Sequence, residues 1–366
     1  MNANEKLLEA IGNIDPDLVR AAQSMGRKPR RGGHRLIAVL AAAALTLALG
    51  TAAFAYFSSE GLKGFFAQWS ESTLTAEQEA YIDEAAVTGG ASDTHNGWTV
   101  ALTSAIADRY HCIIEVQITP PLGLKANLDW GDFAFGRWNL LEPDGTDIAG
   151  YDRRLRGGSF VNFLDNGDDQ SGTISAFLVS HVAMREENFS YTGGGTRTLV
   201  LKDIYGPGGT LLCKGEWRLD IVLTETEESP VELIDAPVTA QGVLMETEED
   251  TGWTKPNGEY ADIIVTTFRL TNLGADVHFE WTENGENIVY DGDSDYLNPT
   301  PELPEVLIVM KDKTIVEARS TGGYITAEPN SEGYYAYDEQ LVFTAPIVLD
   351  QVECVRLADG TVLPMA

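Results

Sequence analysis

Residues 36–57 read LIAVLAAAALTLALGTAAFAYF, 22 consecutive residues without a charge. As a helix this stretch is about 33 Å long at 1.5 Å per residue, close to the roughly 30 Å hydrocarbon core of a bilayer. In lipid, backbone polar groups must pair within the segment, so a single helix is the conformation expected. Tyr56 and Phe57 close the span where aromatic rings favour the interface. Arg27, Lys28, Arg30, Arg31 and Arg35 crowd the other end. By the positive-inside rule they place residues 1–35 in the cytoplasm and the rest of the chain outside. A cleaved signal peptide is the competing reading, with Ala53-Phe54-Ala55 as its cleavage site. Its n-region would be 35 residues long and its apolar core exceeds the usual 7–15, which favours an uncleaved anchor.

Charge divides the same way. Seven basic and four acidic residues precede position 36, whereas 18 basic and 52 acidic residues follow Phe57, giving local net charges of +3 and −34 within a total of −31. So acidic a remainder does not bind nucleic acid, which needs a basic face. A hydrophobic content of 43% rules out disorder for most of the chain.

The stub 1–35 reads as two short helices. Leu7, Leu8 and Ile11 share one face; Asp15 caps a second turn with Pro16 at its first position, and Leu18 and Val19 continue the stripe. So small a unit cannot be stable alone, so these five side chains are candidate partner-binding residues. The other reading is a solvated tail that only sets topology, with its arginines on anionic lipid.

Residues 58–92 are expected to form a helical collar. Leu62, Phe65, Phe66 and Trp69 recur at i, i+3, i+4 and i+7, and could lie on the bilayer or pack against the rest of the ectodomain. Thr75 and Gln78 have capping-box spacing for a helix over 75–87. Beyond Trp98 the apolar period becomes 2, as in Cys112, Ile114, Val116 and Ile118 or Trp217, Leu219, Ile221 and Leu223. Repeated short strands with Gly, Pro, Asn and Asp turns predict a mostly β chain with two antiparallel sandwich-like domains, residues 93–227 and 238–366, joined by an acidic linker at 228–237. A single continuous β unit is the alternative.

Three stretches carry a family resemblance: LLEAIGNIDPDLVRAA with its basic run and apolar span, then NGWTVALTSAIADRYHCIIEVQITP and GEWRLDIVL, then VFTAPIVLDQVECVRLADGTVLPM. Together they resemble single-pass membrane proteins of low-GC Gram-positive bacteria with an extracytoplasmic β domain, some described as anti-sigma-factor-like. The resemblance implies a surface sensor whose cytoplasmic end holds a sigma factor. A zinc anti-sigma site needs a His with closely spaced Cys; the stub has His34 and no Cys, so no zinc site comes with it.

Chemical motifs are sparse. No P-loop, dinucleotide fingerprint or HExxH occurs, so neither a cofactor nor enzyme activity is expected. Histidines 95, 111, 181 and 278 lie in no catalytic motif, although triads assemble from distant positions. Asp291, Asp293 and Asp295 alternate with Glu302 eleven residues after Asp291, but Tyr296 replaces the glycine a calcium loop requires. A solvated acidic turn is the expectation, as for Asp165, Asp168 and Asp169. Cys112, Cys213 and Cys354 are expected as free thiols rather than a Cys112–Cys213 bridge. The functional expectation is therefore an envelope sensor or binding protein; a structural or adhesive envelope protein is the alternative.

Overall fold

A computed structural model describes residues 61–121, 133–148, 157–164, 173–184, 189–193, 195–224, 230–234, 236–247, 254–282, 300–303, 305–325, 331 and 333–365. The chain divides into two units, Met1–Phe57 and Ser58–Ala366. The first, with the stub and the apolar span, lies outside the described residues, as do the acidic turns at 165–169 and 291–295. Among the described residues no helix is long and apolar enough to cross a membrane.

The second unit is mostly β. Two helices lead: α1 over residues 61–69 and α2, Ala76–Ala85. The strands before residue 225 are β1 (Val87–Thr88), β2 (Ser92–His95), β3 (Trp98–Ala107), β4 (His111–Thr119), β5 (Ala134–Leu141), β6 (Gly157–Leu164), β7 (Ile174–Val182), β8 (Arg197–Gly206) and β9 (Thr210–Ile221). After it come β10 (Val231–Glu232), β11 (Val238–Thr247), β12 (Thr254–Leu270), β13 (Gly274–Thr282), β14 (Thr300–Glu302), β15 (Val306–Met310), β16 (Ile315–Ile325), β17 (Tyr334–Phe343), β18 (Val352–Leu357) and β19 (Val362–Pro364). Sheet I has the order β1-β3-β4-β7-β6 with β2 beside β3; sheet II is β5-β8-β9. Sheet III runs β14-β11-β12-β13-β17-β16-β15-β18-β19 with β10 beside β12. Among the described residues every strand pair is antiparallel, such as β4 with β7 and β13 with β17.

Sheet I is buried on both faces, and the alternation of β4 shows how. Cys112, Ile114, Val116 and Ile118 pack with Trp138, Leu199, Leu201, Trp217 and Leu219 of sheet II. Ile113, one residue out of phase, belongs to a second cluster with Phe177, Val179, the helices and sheet III. The expected linker 228–237 contributes to that cluster, since β10 pairs Val231 with Leu270 and Leu233 is buried among its members.

Two bulges set which side chains face which core. In β3 the register shifts between Leu102 and Ser104, so the face carrying Val100 and Leu102 continues as Ala105 and Ala107. In β12 it shifts between Val265 and Thr267, so Ile263 and Val265 are followed inward by Phe268 and Leu270. The second bulge turns Thr267 and Arg269 to the outer face of sheet III.

The α1 aromatics are core residues. Leu62, Phe65 and Phe66 are wholly buried and Trp69 nearly so. Phe65 stacks on Phe177 at 4.5 Å, Trp69 meets Phe160 edge-on at 5.9 Å, and Arg319 of sheet III lies 5.9 Å from the Trp69 ring and donates to the Trp69 carbonyl at 3.0 Å. The capping box of α2 forms as its spacing predicts, with Thr75 N donating to Gln78 Oε1 at 2.9 Å and Gln78 N to Thr75 Oγ1 at 3.3 Å. That helix ends at Ala85, before β1, rather than at Val87.

Candidate functional site

A row of polar side chains lies where the end of sheet I meets sheet III. Asp108 and His111 flank the β3–β4 turn, and His181 stands opposite His111 across the β4–β7 ladder. From sheet III come Thr271 and Gly274 at the β12–β13 turn, Asp276 and His278 on the outer face of β13, and Asp338 opposite His278 on β17. Alternation dictates that placement: Ala275, Val277 and Phe279 point into the core, so Asp276, His278 and Glu280 point away.

At one end of the seam Asp108 is saturated with donors. Its Oδ1 accepts from Tyr110 N and His111 N at 2.8 Å each and faces His111 Nδ1 at 3.1 Å; its Oδ2 accepts from Leu273 N at 3.1 Å. Burial acts to raise its carboxyl, but His111 and these hydrogen bonds outweigh it and hold Asp108 below the usual carboxylate range. Thr271 Oγ1 lies 3.1 Å from the same His111 Nδ1 and also bonds the Gly274 backbone. Acid and hydroxyl therefore meet one nitrogen of the ring. A relay needs them on opposite nitrogens, with the base facing the nucleophile. His111 Nε2 is instead buried against Gly274, where an added Cβ would come within 2.2 Å of it, and has no hydrogen-bond partner. This trio locks the β12–β13 turn onto sheet I. His181 Nδ1 makes a parallel link, 3.0 Å from Thr321 Oγ1 of the bulged strand β16.

At the other end is a cavity of about 150 Å³ walled by Thr267, Arg269, Asp276, His278, Asp338 and Ala183. His278 Nδ1 lies 2.7 Å from Asp338 Oδ1, and Arg269 Nε is 3.7 Å from Glu232. Asp276 Oδ2 accepts from Met184 N, just beyond β7, while Oδ1 is closed off from solvent and accepts no hydrogen bond. Burial pushes Asp276 up to about 6, against the Met184 hydrogen bond and His111; Asp338 adds to the rise and Arg269 opposes it.

Two further buried acids lie apart from the cavity. Burial raises Glu115 to about 7 although Ser104 Oγ donates to it at 2.6 Å, and Gly61 at the head of α1 lies so close that a Cβ would be 2.3 Å from both carboxylate oxygens. Burial likewise raises Glu339 to about 7 against a hydrogen bond from Ser320, with Glu302 adding to the rise.

No family model matches the chain, and no curated protein matches it. Among solved structures, a conserved domain protein from Bacillus anthracis is similar over 74% of this chain and 76% of that one, at 8% identity and a TM-score of 0.40. A likeness at that level carries no functional argument.

The residues singled out in the stub, Leu7, Leu8, Ile11, Leu18 and Val19, and the basic set Arg27, Lys28, Arg30, Arg31 and Arg35, lie outside the described residues. The three cysteines are free thiols, Cys112 and Cys213 buried, and burial pushes the Cys112 thiol far up, which makes it unreactive. Among the described residues no three His, Cys, Asp or Glu side chains are grouped to hold a metal. The seam residues had one sequence signal, the polar alternation Asp276, His278, Glu280 within an apolar strand.

Proposed function

We propose that this chain is a single-pass envelope protein whose residues 58–366 bind an extracytoplasmic ligand at the seam of sheets I and III, and whose residues 1–35 engage a cytoplasmic partner. The observation that supports the binding role is the cavity beside the under-bonded carboxyl of Asp276. Such a concave site with a convergent polar group is where small ligands bind. Binding without turnover fits the His111 arrangement, in which acid and hydroxyl compete for one nitrogen. The topology is supported by the uncharged span 36–57 and by the opposite charge of the segments flanking it. The strand sets over 93–227 and 238–366, each sandwich-like in sequence, act in this reading as one ligand-binding body, since helix α1 and sheets I and III share a buried cluster. The partner offers an apolar groove to Leu7, Leu8, Ile11, Leu18 and Val19; a sigma factor fits the family the sequence resembles.

The test is made on the full chain in its membrane. In a Cys-free background, Ser24→Cys is labelled only after permeabilisation and Ser229→Cys before it; labelling of both from outside removes the anchor. Burial of one Leu is worth roughly 1.5–3 kcal/mol, so Leu8→Asp lowers affinity for the partner about tenfold or more with insertion intact. If Leu8→Asp and Leu18→Asp change neither the bound sigma factor nor the transcript profile, the stub is an anchor and the protein is structural or adhesive.

A further inference from the structure

We propose that the cavity between Asp276, Asp338 and Arg269 is a subsite for the ammonium group of a small amine or amino acid, with Asp276 as its charged acceptor. This names the ligand class of the seam site and rests on the reading of that cavity as a binding site.

The acceptors settle the sign of the charge. Two carboxylates and one guanidinium line the cavity. The guanidinium lies towards Glu232 at 3.7 Å, and the Asp338 carboxylate is taken by His278 at 2.7 Å. What remains is Asp276 Oδ1, an acceptor with no donor. A buried acceptor left unpaired is costly, and a cationic N–H relieves that cost most strongly. Asp276 lines the cavity while its Oδ1 is closed off from solvent, and the soft terminal torsion of an aspartate lets a guest draw that oxygen out. An anion would find donors only on the Arg269 guanidinium, which already faces Glu232, and would have both acids against it while leaving Asp276 Oδ1 unpaired. A bare divalent ion would find too few ligands, since no three of the required side chains are grouped among the described residues. An ammonium has three donors and a single charge, which Asp276 balances and Arg269 tolerates. A cavity of this volume holds a group about the size of benzene, so roughly six heavy atoms of the ligand sit inside it.

Binding is coupled to pH. Asp276 is faced by Thr267 and Arg269 of β12, His278 of its own strand, Asp338 of β17, and Met184 N and His111 from sheet I. Its carboxyl titrates near 6. A cation selects the ionised form, so affinity is full above that value and falls by up to about tenfold per pH unit below it.

The experiment is calorimetric titration of the full-length chain in detergent with ethylammonium chloride, glycine, sodium acetate and ethanol at pH 8 and pH 5. Ethylammonium should bind saturably, in the millimolar range, and more weakly at pH 5. Glycine carries the same ammonium beside a carboxylate, so its affinity relative to ethylammonium separates an amino-acid source from an amine. Asp276→Asn should weaken both about tenfold or more. Arg269→Gln, which removes a like charge, should strengthen ethylammonium several-fold; this opposite sign separates loss of the site from loss of the fold. Ethanol or acetate binding that Asp276→Asn abolishes would overturn the ammonium assignment while keeping the cavity as a site. No saturable binding of any probe, or ethylammonium binding untouched by Asp276→Asn, would overturn both this proposal and the seam as a ligand site, leaving the labelling and Leu8→Asp tests of topology and partner unaffected.

Discussion

Asp108 and Asp276 flank the same histidine, Asp108 buried and Asp276 half-buried with its Oδ1 closed off from solvent, and they titrate in opposite directions. Four donor contacts reach Asp108, whereas Asp276 receives one from Met184. Burial therefore does not by itself decide what an acid is for; the histidine charge and the donors set against it do. A saturated carboxylate is a fastener, here of the β12–β13 turn onto sheet I. An under-bonded one is a place where something else can bind.

The comparison breaks first at Asp108. Asp108→Ala strands the N–H groups of Tyr110, His111 and Leu273 in a buried seam and is expected to cost about 3–5 kcal/mol. Urea unfolding measures it; a loss below about 1 kcal/mol would mean the donors are already satisfied elsewhere. The wild-type contribution has the usual sign for a depressed carboxyl, present above the unfolded value of 3.8 and lost as pH falls through the lower folded one.

Asp276→Asn should act the other way. A carboxyl raised from 3.8 to about 6 binds more protons folded than unfolded, so its ionisation removes stability as pH rises through that window. Without ligand, the variant is expected to be about 1–3 kcal/mol more stable than wild type at pH 8 and equal to it below pH 4. Melting curves at the two pH values decide, and a loss of stability at pH 8 would place Asp276 with the fasteners.

Thr271→Val sharpens the contrast at smaller scale. It removes a hydroxyl shared by His111 and Gly274 and keeps the shape, at about 1–2 kcal/mol and with no pH dependence near 6. Binding of the ammonium probe should survive it, which separates the fastening end of the seam from the open one.

Much of this architecture is legible along the chain. The spacing of Leu62, Phe65, Phe66 and Trp69 gives a helix with one buried face, and Thr75 with Gln78 gives the start of the next. The alternation in β4 and β9 gives strands with defined faces. Strands β6 and β16 are not legible, because paired glycines and, in β16, a bulge between Ser320 and Gly322 blur the period of 2. The bulges in β3 and β12 hide more, since each reverses which residues face inward beyond it. The seam is hidden for a different reason. Asp276, His278 and Glu280 alternate as a solvent-facing row would, and it is Met184 and His111 from a distant sheet that come up against the Asp276 carboxyl. Local pattern records the direction of a side chain and not what comes to cover it.

Helix α1 is wedged between sheets, with Phe65 flat against Phe177, Trp69 against Phe160 and Arg319, and a glycine where any side chain would strike Glu115. Tension applied at residue 61 therefore loads this wedge before it reaches a strand at that end of the chain. Drawing α1 out would uncover Phe177 and Phe160 of sheet I together with the Glu115 carboxylate, so the helix works as a plug whose removal wets two sheets at once.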